Sequence, residues 1–154
     1  MAKILAASTV RDRIREATSG MWSTSRGNYF GFNDSQYALP SNQEIVSIVS
    51  QCQIQHFGSR GEVFDCDDYA HWLKGSIALL NVTDRIFEAP IAFGVVWGLF
   101  DWMWNGQELH VVNWVLTEDK NLIWVEPQYN HAGSPNSPFF KLENCIGGIR
   151  FLMV

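Results

Sequence analysis

The segment Asp65-Cys66-Asp67-Asp68-Tyr69-Ala70 places a cysteine at the point where a helix is predicted to begin. Apolar residues recur from there at steps of three and four, which is typical of a helix with one buried face; they are Tyr69, Trp72, Leu73, Ile77 and Leu80. A thiol at a helix N-terminus lies near unpaired backbone N–H groups and the positive end of the helix dipole, and both stabilise a thiolate. Because the thiolate is the nucleophilic form of cysteine, the segment predicts a reactive thiol.

Two further helices are predicted before this one. Residues 3–18 carry apolar residues at helical spacing, with arginine and glutamate between them. Ser41-Asn42-Gln43-Glu44 is a capping box, which predicts a second helix that ends near Gln53. Residues 19–40 are rich in Gly, Ser and Asn and are predicted to be irregular, with a short strand near 28–32.

The second half of the chain changes to a strand-like pattern. Residues 91–104 are rich in Val, Phe and Trp, which predicts a buried strand, and Asn105-Gly106 indicates a hairpin after it. Further strands are predicted at 108–117, 122–128 and 148–154. Helices followed by an antiparallel meander predict an α+β fold, with the nucleophile at the N-terminus of a helix that packs on the sheet.

Length and composition restrict the class of protein. With 154 residues, of which 47% are apolar, the chain is expected to form one domain, 1–154, with residues 1–40 as an N-terminal helix and loop extension. The net charge is −5 and no Lys/Arg block occurs, so no nucleic-acid partner is expected. Neither a signal peptide nor an apolar run of 18 residues is seen, which predicts a cytoplasmic protein without a membrane partner. The aromatic surplus, with seven tryptophans, makes a dimer an expectation as well.

A histidine and a carboxylate follow the cysteine on two predicted strands. If the turn between these strands has an odd length and is centred near Asp119, His110 and Glu126 share one sheet face, opposite each other or offset by one pair. A carboxylate there can hold the imidazole in the tautomer that accepts a thiol proton. Asp101 is the alternative acid, because a two-residue hairpin at Asn105-Gly106 would set it opposite His110.

At these residues the chain resembles the transglutaminase- and papain-like cysteine peptidases, in which a Cys-Asp-Asp-Tyr-Ala-type segment opens a helix. Val125–Gln128 (Val-Glu-Pro-Gln) is similar to a subgroup, the C-terminal protease domain of agglutinins related to the fairy-ring mushroom lectin. The resemblance spans roughly residues 40–154 and implies a papain-like domain with a Cys66, His110 and Glu126 triad. The sugar-binding trefoil of those lectins has no counterpart here.

The resemblance also implies a divalent cation, chiefly calcium, close to the site. Asp67 and Asp68 match the acidic pair after the cysteine, and hard carboxylate oxygens suit Ca²⁺. The aspartates around Cys66 oppose thiolate formation by like-charge repulsion, which a bound cation would cancel. The oxyanion of an acyl transfer needs a donor, and the backbone N–H of Cys66 is the first candidate. Gln53 is a second by position only, with Gln51 and Gln55 equally placed.

Two functions are therefore expected. The first is a cysteine hydrolase, a peptidase or amidase acting on a protein or peptide through an acyl-enzyme, with a transglutaminase as the nearest variant. The alternative is a catalytically silent binding or structural module on the same fold, for example a phage or toxin accessory protein. Selective alkylation of Cys66 separates the two.

Overall fold

The architecture is taken from a computed structural model, which describes residues 3–23, 29–53, 65–102, 106–129, 137–140 and 145–154. In these ranges the elements follow in the order β1 (Lys3–Ala6), α1 (Ala7–Ala17), β2 (Tyr29–Gly31), β3 (Gln36–Leu39), α2 (Asn42–Gln51), α3 (Cys66–Asp84), β4 (Phe93–Trp102), β5 (Gly106–Leu116), β6 (Leu122–Val125), β7 (Phe139–Phe140) and β8 (Cys145–Met153). The predicted α+β class is confirmed.

Six of the described strands form one sheet in the order β2-β8-β4-β5-β6-β7, and β1 pairs with β3. The neighbours from β8 to β7 are antiparallel, as predicted. The prediction of an antiparallel sheet is wrong for β2, which runs parallel to β8. A parallel neighbour needs a long connection rather than a hairpin, and most of the chain lies between these two strands.

The two faces of the sheet bury separate cores. On one face α2 and α3 pack against β4, β5 and β6, through Ile45, Ile48, Val49, Tyr69, Leu73, Ile77, Val115 and Val125. On the other face α1 and β3 pack against the same strands, through Val10, Ile14, Tyr37, Leu39, Val112, Trp114 and Trp124. Successive residues of β5 therefore face opposite layers, as the period of two in a strand requires.

Helices α2 and α3 begin where local sequence signals place them. Ser41 caps α2 as predicted, because its Oγ accepts from the Glu44 N–H at 3.2 Å and Glu44 Oε2 accepts from the Ser41 N–H at 2.7 Å. Helix α3 begins at Cys66, as predicted, and continues to Asp84. Among the described residues, no helix is both long and apolar enough to cross a lipid bilayer.

The N-terminal prediction is wrong in part. The predicted helix at 3–18 is a strand over Lys3–Ala6 and a helix only from Ala7. Strand β1 pairs with Gln36–Leu39, inside the region predicted to be irregular. Pairing with a distant strand has overridden the local helical spacing of Ile4 and Leu5, which neighbouring residues alone cannot reveal.

The register of the β4–β5 hairpin excludes the arrangement that would have favoured Asp101. The strands pair from Trp102 with Gly106 onward, so that Asp101 lies opposite Gln107. His110 lies opposite Gly98 instead. The predicted hairpin is present, but the alternative of a two-residue turn is excluded, since the register leaves three residues between the strands. Asn105 itself lies outside the described residues.

Candidate functional site

Cys66 is the first residue of α3, with Asp65 as its N-cap. The Asp65 N–H donates to Asp68 Oδ2 at 3.3 Å, and the Tyr69 N–H donates to the Asp65 carbonyl at 3.1 Å. The buried side chains of Tyr69 and Ala70 hold this first turn on the sheet, while the Cys66 side chain stays partly exposed. The thiol thus lies at a helix N-terminus, accessible to a reagent and adjacent to the sheet.

The turn between β5 and β6 sets His110 and Glu126 on one face of the sheet. The strands pair Leu116 with Leu122, which leaves the odd number of five residues, 117–121, between them. The ladder runs to the pair Asn113 and Val125, and one further step sets Val112 opposite Glu126. His110 is two residues from Val112 along β5, so its side chain and that of Glu126 are diagonal neighbours. His110 Nε2 and Glu126 Oε2 lie 2.9 Å apart.

The Glu126 carboxylate is buried, with 1% of the residue exposed, and each of its oxygens has a partner. Oε1 accepts from the Gln128 N–H at 2.8 Å, and Oε2 lies against His110. The Glu126 N–H donates to the Pro138 carbonyl at 2.6 Å, so the backbone is tied as well. A buried carboxylate costs much free energy unless it is paired and hydrogen-bonded, and these contacts fix Glu126 in place.

His110 is hydrogen-bonded to the Cys66 side chain as well as to Glu126. Burial alone would lower the pKa of His110, but the hydrogen bonds to Cys66 and Glu126 and their negative charges outweigh it and raise this pKa to about 10. At neutral pH the imidazolium is therefore the favoured form of His110. Nε2 is engaged by Glu126, which leaves Nδ1 as the ring nitrogen that can exchange a proton with the thiol.

The other two cysteines lie in different surroundings. Burial raises the pKa of Cys52 to about 11. For Cys145, burial raises the pKa to about 11 against the opposing effect of a hydrogen bond with the Gly147 backbone. Both thiols are protonated at neutral pH and have little nucleophilic thiolate. Cys66 is the one of the three that contacts a histidine among the described residues.

The acidic residues around Cys66 have separate positions. Side-chain ligand atoms of Asp65, Cys66 and Asp67 lie within 4.8 Å of one another, whereas the Asp68 carboxylate caps the helix. Asp65 Oδ1 is buried and has no hydrogen-bond partner among the described residues. The side-chain hydrogen bond to Asp65, then partial burial and the charges of Asp65 and Asp68, raise the pKa of Asp67. Two crowded carboxylates with an unpaired buried oxygen are compatible with a hard cation.

Among the described residues, no hydrogen bond or ion pair joins Gln53 or Asp101 to this cluster. Gln53 is exposed just after α2, with a positive φ of 50°, and no contact described for it reaches Cys66. The Gln51 side chain bonds to Ser47, and Gln55 lies outside the described residues. Asp101 is exposed and three positions along β4 from the residue opposite His110, a distance of about 10 Å.

A residue that the sequence analysis missed connects α3 to the sheet next to this cluster. The buried Asn113 donates from Nδ2 to the Ala70 carbonyl at 2.8 Å and to the Gly94 carbonyl at 3.1 Å. Its signal in the sequence is an amide inside the apolar run of β5, because a buried polar side chain implies hydrogen-bond partners.

A cavity of about 480 Å³ lies at the opposite end of α3. Ile77, Asn81, Phe87 and Pro90 are among its lining residues, and none of the predicted catalytic residues is. Asn81 lies fifteen residues after Cys66, which corresponds to about 22 Å along a helix. The cavity is therefore separate from the cysteine cluster.

Comparison with known proteins identifies the family. Residues 37–132 match the family described as Agglutinin C-terminal, so the chain belongs to that family. A search of the curated proteins finds no match.

Two solved structures share the fold. One is titled "PSL1a-E64 complex", with a TM-score of 0.72 and 19% identity over 98% of this chain and 50% of that one. The other is a Polyporus squamosus lectin bound to the human-type influenza-binding epitope Neu5Aca2-6Galb1-4GlcNAc, with a TM-score of 0.61 and 19% identity over 98% of this chain and 49% of that one. The chain thus spans about half the length of the solved chains that it matches.

These comparisons correct the classification drawn from the sequence. The labels hydrolase, cysteine protease, thiol protease, papain-like and transglutaminase-like are contradicted, because the matching family is an agglutinin domain and its solved relatives include a lectin. The agglutinin kinship is confirmed. The physical reason is that a thiol at a helix N-terminus followed by a histidine strand describes a scaffold, and one scaffold serves unrelated functions.

Proposed function

We propose that this agglutinin-type domain carries a thiol nucleophile, Cys66, that accepts an acyl group from an amide carbonyl. The observation that carries the proposal is the buried Glu126 carboxylate, 2.9 Å from Nε2 of a histidine that also hydrogen-bonds Cys66. A cysteine that served only to fill space would not need a histidine held by a buried, fully partnered carboxylate.

The reaction follows from these contacts. At neutral pH His110 already holds the thiol proton on Nδ1, and Glu126 stabilises this imidazolium through Nε2. The thiolate attacks the carbonyl carbon, and the oxyanion develops beside the unpaired N–H groups of the first turn of α3, that of Cys66 first. His110 then gives its proton to the leaving amine, and the acyl group remains on Cys66 as a thioester. Water or a second amine removes it and returns the thiol.

A divalent cation, calcium first, belongs to the same proposal. Asp65 and Asp67 would hold it, since their oxygens lie close together and Asp65 Oδ1 lacks a partner among the described residues. Its charge would offset the repulsion between these carboxylates and a thiolate at Cys66. Calcium binds six to eight oxygens, so backbone carbonyls and water would complete the coordination.

A second candidate function is a catalytically silent binding or structural module. The comparisons favour it, since the family is named for agglutinins and one solved relative is a lectin bound to a sialylated glycan. This chain spans about half of that relative, so the glycan site of the whole lectin is not assigned to it. The two candidates differ in one property, which is the reactivity of Cys66.

The experiment measures that reactivity directly. The purified chain is treated near neutral pH with iodoacetamide or with the epoxide E64, with and without calcium, and the adducts are located by mass spectrometry. We expect fast labelling of Cys66 and slow labelling of Cys52 and Cys145, whose raised pKa values keep them protonated. Labelling of Cys66 is expected to be faster with calcium.

Two matched variants complete the test. Cys66→Ala is expected to remove the fast phase entirely, and Cys52→Ala to leave it unchanged. Turnover of a mixture of peptide amides should be lost in the first variant and kept in the second. Equal, slow labelling of all three cysteines in the native protein, with no turnover, would establish the silent module.

A further inference from the structure

We infer that Asn113 is the positioning residue that sets the distance between Cys66 and His110. The inference rests on the proposed function, because it concerns the same thiol. Asn113 itself has no described contact with Cys66 or His110, so it acts through the backbone of α3 and β5.

The contacts form a short closed path through the site. Ala70 lies one helical turn after Cys66, about 6 Å along the axis, and its carbonyl accepts from Asn113 Nδ2 at 2.8 Å. Asn113 is three residues after His110 on β5, about 10 Å along the strand. One side chain therefore joins the helical turn that begins with the thiol to the strand that carries the imidazole.

The second Nδ2 hydrogen bond extends the connection to the neighbouring strand. It goes to the Gly94 carbonyl on β4 at 3.1 Å. Gly94 is packed so closely that an added Cβ would lie 1.9 Å from the Met153 carbonyl and 2.6 Å from the Trp114 ring. The small side chain of Ala70, fully buried, lets α3 approach the sheet at the same level. The path is rigid because close backbone approach limits movement at both carbonyls.

The choice of asparagine argues for a role beyond packing. Asn113 is 0% exposed, and its Oδ1 is buried with no hydrogen-bond partner among the described residues. An unpaired buried acceptor costs free energy that a valine or leucine would not. The two Nδ2 hydrogen bonds are what an apolar residue in this strand could not supply.

Asn81, which lies on α3 like Cys66, is a matched control for Asn113. It is also buried, and it donates from Nδ2 to the Ala89 carbonyl at 3.0 Å, while its Oδ1 accepts from the Phe87 N–H at 2.9 Å. It lies fifteen residues from Cys66, next to the distal cavity. A change at Asn81 tests loss of a buried amide hydrogen bond without affecting the thiol.

The experiment compares Asn113→Asp with Asn81→Asp in the full chain. Asn113→Asp keeps the shape, removes both donors and sets an oxygen against two carbonyls. The readouts are the rate constant of Cys66 alkylation by iodoacetamide at pH 7 with a chelator present, the ¹⁵N signals of the His110 ring, and the denaturant midpoint. Asn113→Ser, which keeps one shorter donor, is measured in the same way in case Asn113→Asp does not fold.

We expect Asn113→Asp to slow alkylation by about 10- to 100-fold, as a displacement of about 1 Å at a reacting group does, and to shift the His110 Nδ1 signal. Asn113→Ser should give a smaller change in the same direction. Asn81→Asp should lower the midpoint, keep the alkylation rate within about twofold and leave the ring signals unchanged. The inference would be overturned if the Asn113 variants alkylate Cys66 at the native rate. It would also be overturned if the alkylation rate falls in proportion to the denaturant midpoint in the Asn113 and Asn81 variants alike.

The two proposals fail separately. If Cys66 in the native protein reacts no faster than Cys52 and Cys145, the proposed nucleophile is wrong. The His110 ring signals still test the positioning role in that case, because they report the contact with the Cys66 side chain whether or not the thiol reacts. Unchanged ring signals in Asn113→Asp and Asn113→Ser would refute it.

Discussion

The two ends of α3 use the same kind of side chain for different purposes. The distal end of α3 is its C-terminal end, far from Cys66. There the Asn81 side chain hydrogen-bonds to the loop after the helix, donating to the Ala89 carbonyl and accepting from the Phe87 N–H. The proximal end of α3 is its N-terminal end, next to Cys66. There the Asn113 side chain on β5 donates to the Ala70 carbonyl of the helix, and its Oδ1 has no partner among the described residues. Asp65 Oδ1, at the same end, also lacks a hydrogen-bond partner in the part of the chain that the structure describes.

This difference separates a structural end of α3 from the end that carries the proposed functional site. Where an asparagine only closes a loop, its hydrogen bonds are complete, as they are for most buried polar groups. At the end that carries the proposed nucleophile, two buried oxygens, Asp65 Oδ1 and Asn113 Oδ1, lack a hydrogen-bond partner among the described residues, at a cost in stability. Incomplete hydrogen bonding near a cluster of titratable groups is thus a physical indication of a site.

The largest expected effect is at the proximal end, in Glu126→Gln. The amide is nearly isosteric with the carboxylate but uncharged, so it can no longer stabilise a cationic His110. The pKa of His110 should fall from about 10. Burial lowers this pKa, and in the variant only Cys66 would remain to raise it. NMR titration of the His110 ring measures this fall.

The rate of Cys66 alkylation at neutral pH should drop in the same variant by about 100-fold or more. Glu118→Gln is a suitable control, because Glu118 lies in the turn after β5 and its N–H bonds to Pro40 through the backbone alone. A native rate in Glu126→Gln would show that the carboxylate only fills space.

The intermediate effect is at the distal end, in Asn81→Ala. Removing the amide leaves the Ala89 carbonyl and the Phe87 N–H without their partner, which should cost about 1–3 kcal/mol of unfolding free energy. Chemical denaturation measures this loss. Alkylation of Cys66 should stay within about twofold of the native rate, and a strong decrease would mean that the two ends of α3 are coupled.

The smallest effect is expected at Arg85, which ends α3 in the left-handed conformation with φ 50° and ψ 46°. Glycine adopts this conformation without a Cβ clash, so Arg85→Gly should stabilise the fold by about 0.5–1 kcal/mol. A rise in melting temperature would show it, with no change in Cys66 reactivity. A fall would indicate that the Arg85 side chain contributes contacts that outweigh the strain.

Much of the helical half was predictable because its signals are local. The capping box at Ser41 and Glu44 and the start of α3 at Cys66 each depend on residues within one helical turn. The pairing of His110 with Glu126 was also accessible, because the parity of a single turn decides the face of every residue after it.

The remainder depends on distant partners. Strand β1 forms because Lys3–Ala6 meets Gln36–Leu39, about thirty residues later in the chain. The hydrogen bond from Asn113 to the Ala70 carbonyl spans 43 residues and requires the helix to be seated on the sheet. The resemblance indicated the agglutinin family, but the function could not be decided, because a cysteine, a histidine and a glutamate in that order fit both an enzyme and a binding module.

The five-residue turn at 117–121 has a consequence for how this domain can vary. Insertion or deletion of a single residue there would move Glu126 to the opposite face of the sheet and away from His110, whereas a change of two residues would keep the face. The Asn121 and Asp119 side chains, which bond each other at 2.8 Å, stabilise the present length. Tolerated length changes in this turn should therefore come in even numbers. Whether the turn length is odd or even decides whether Glu126 can contact His110.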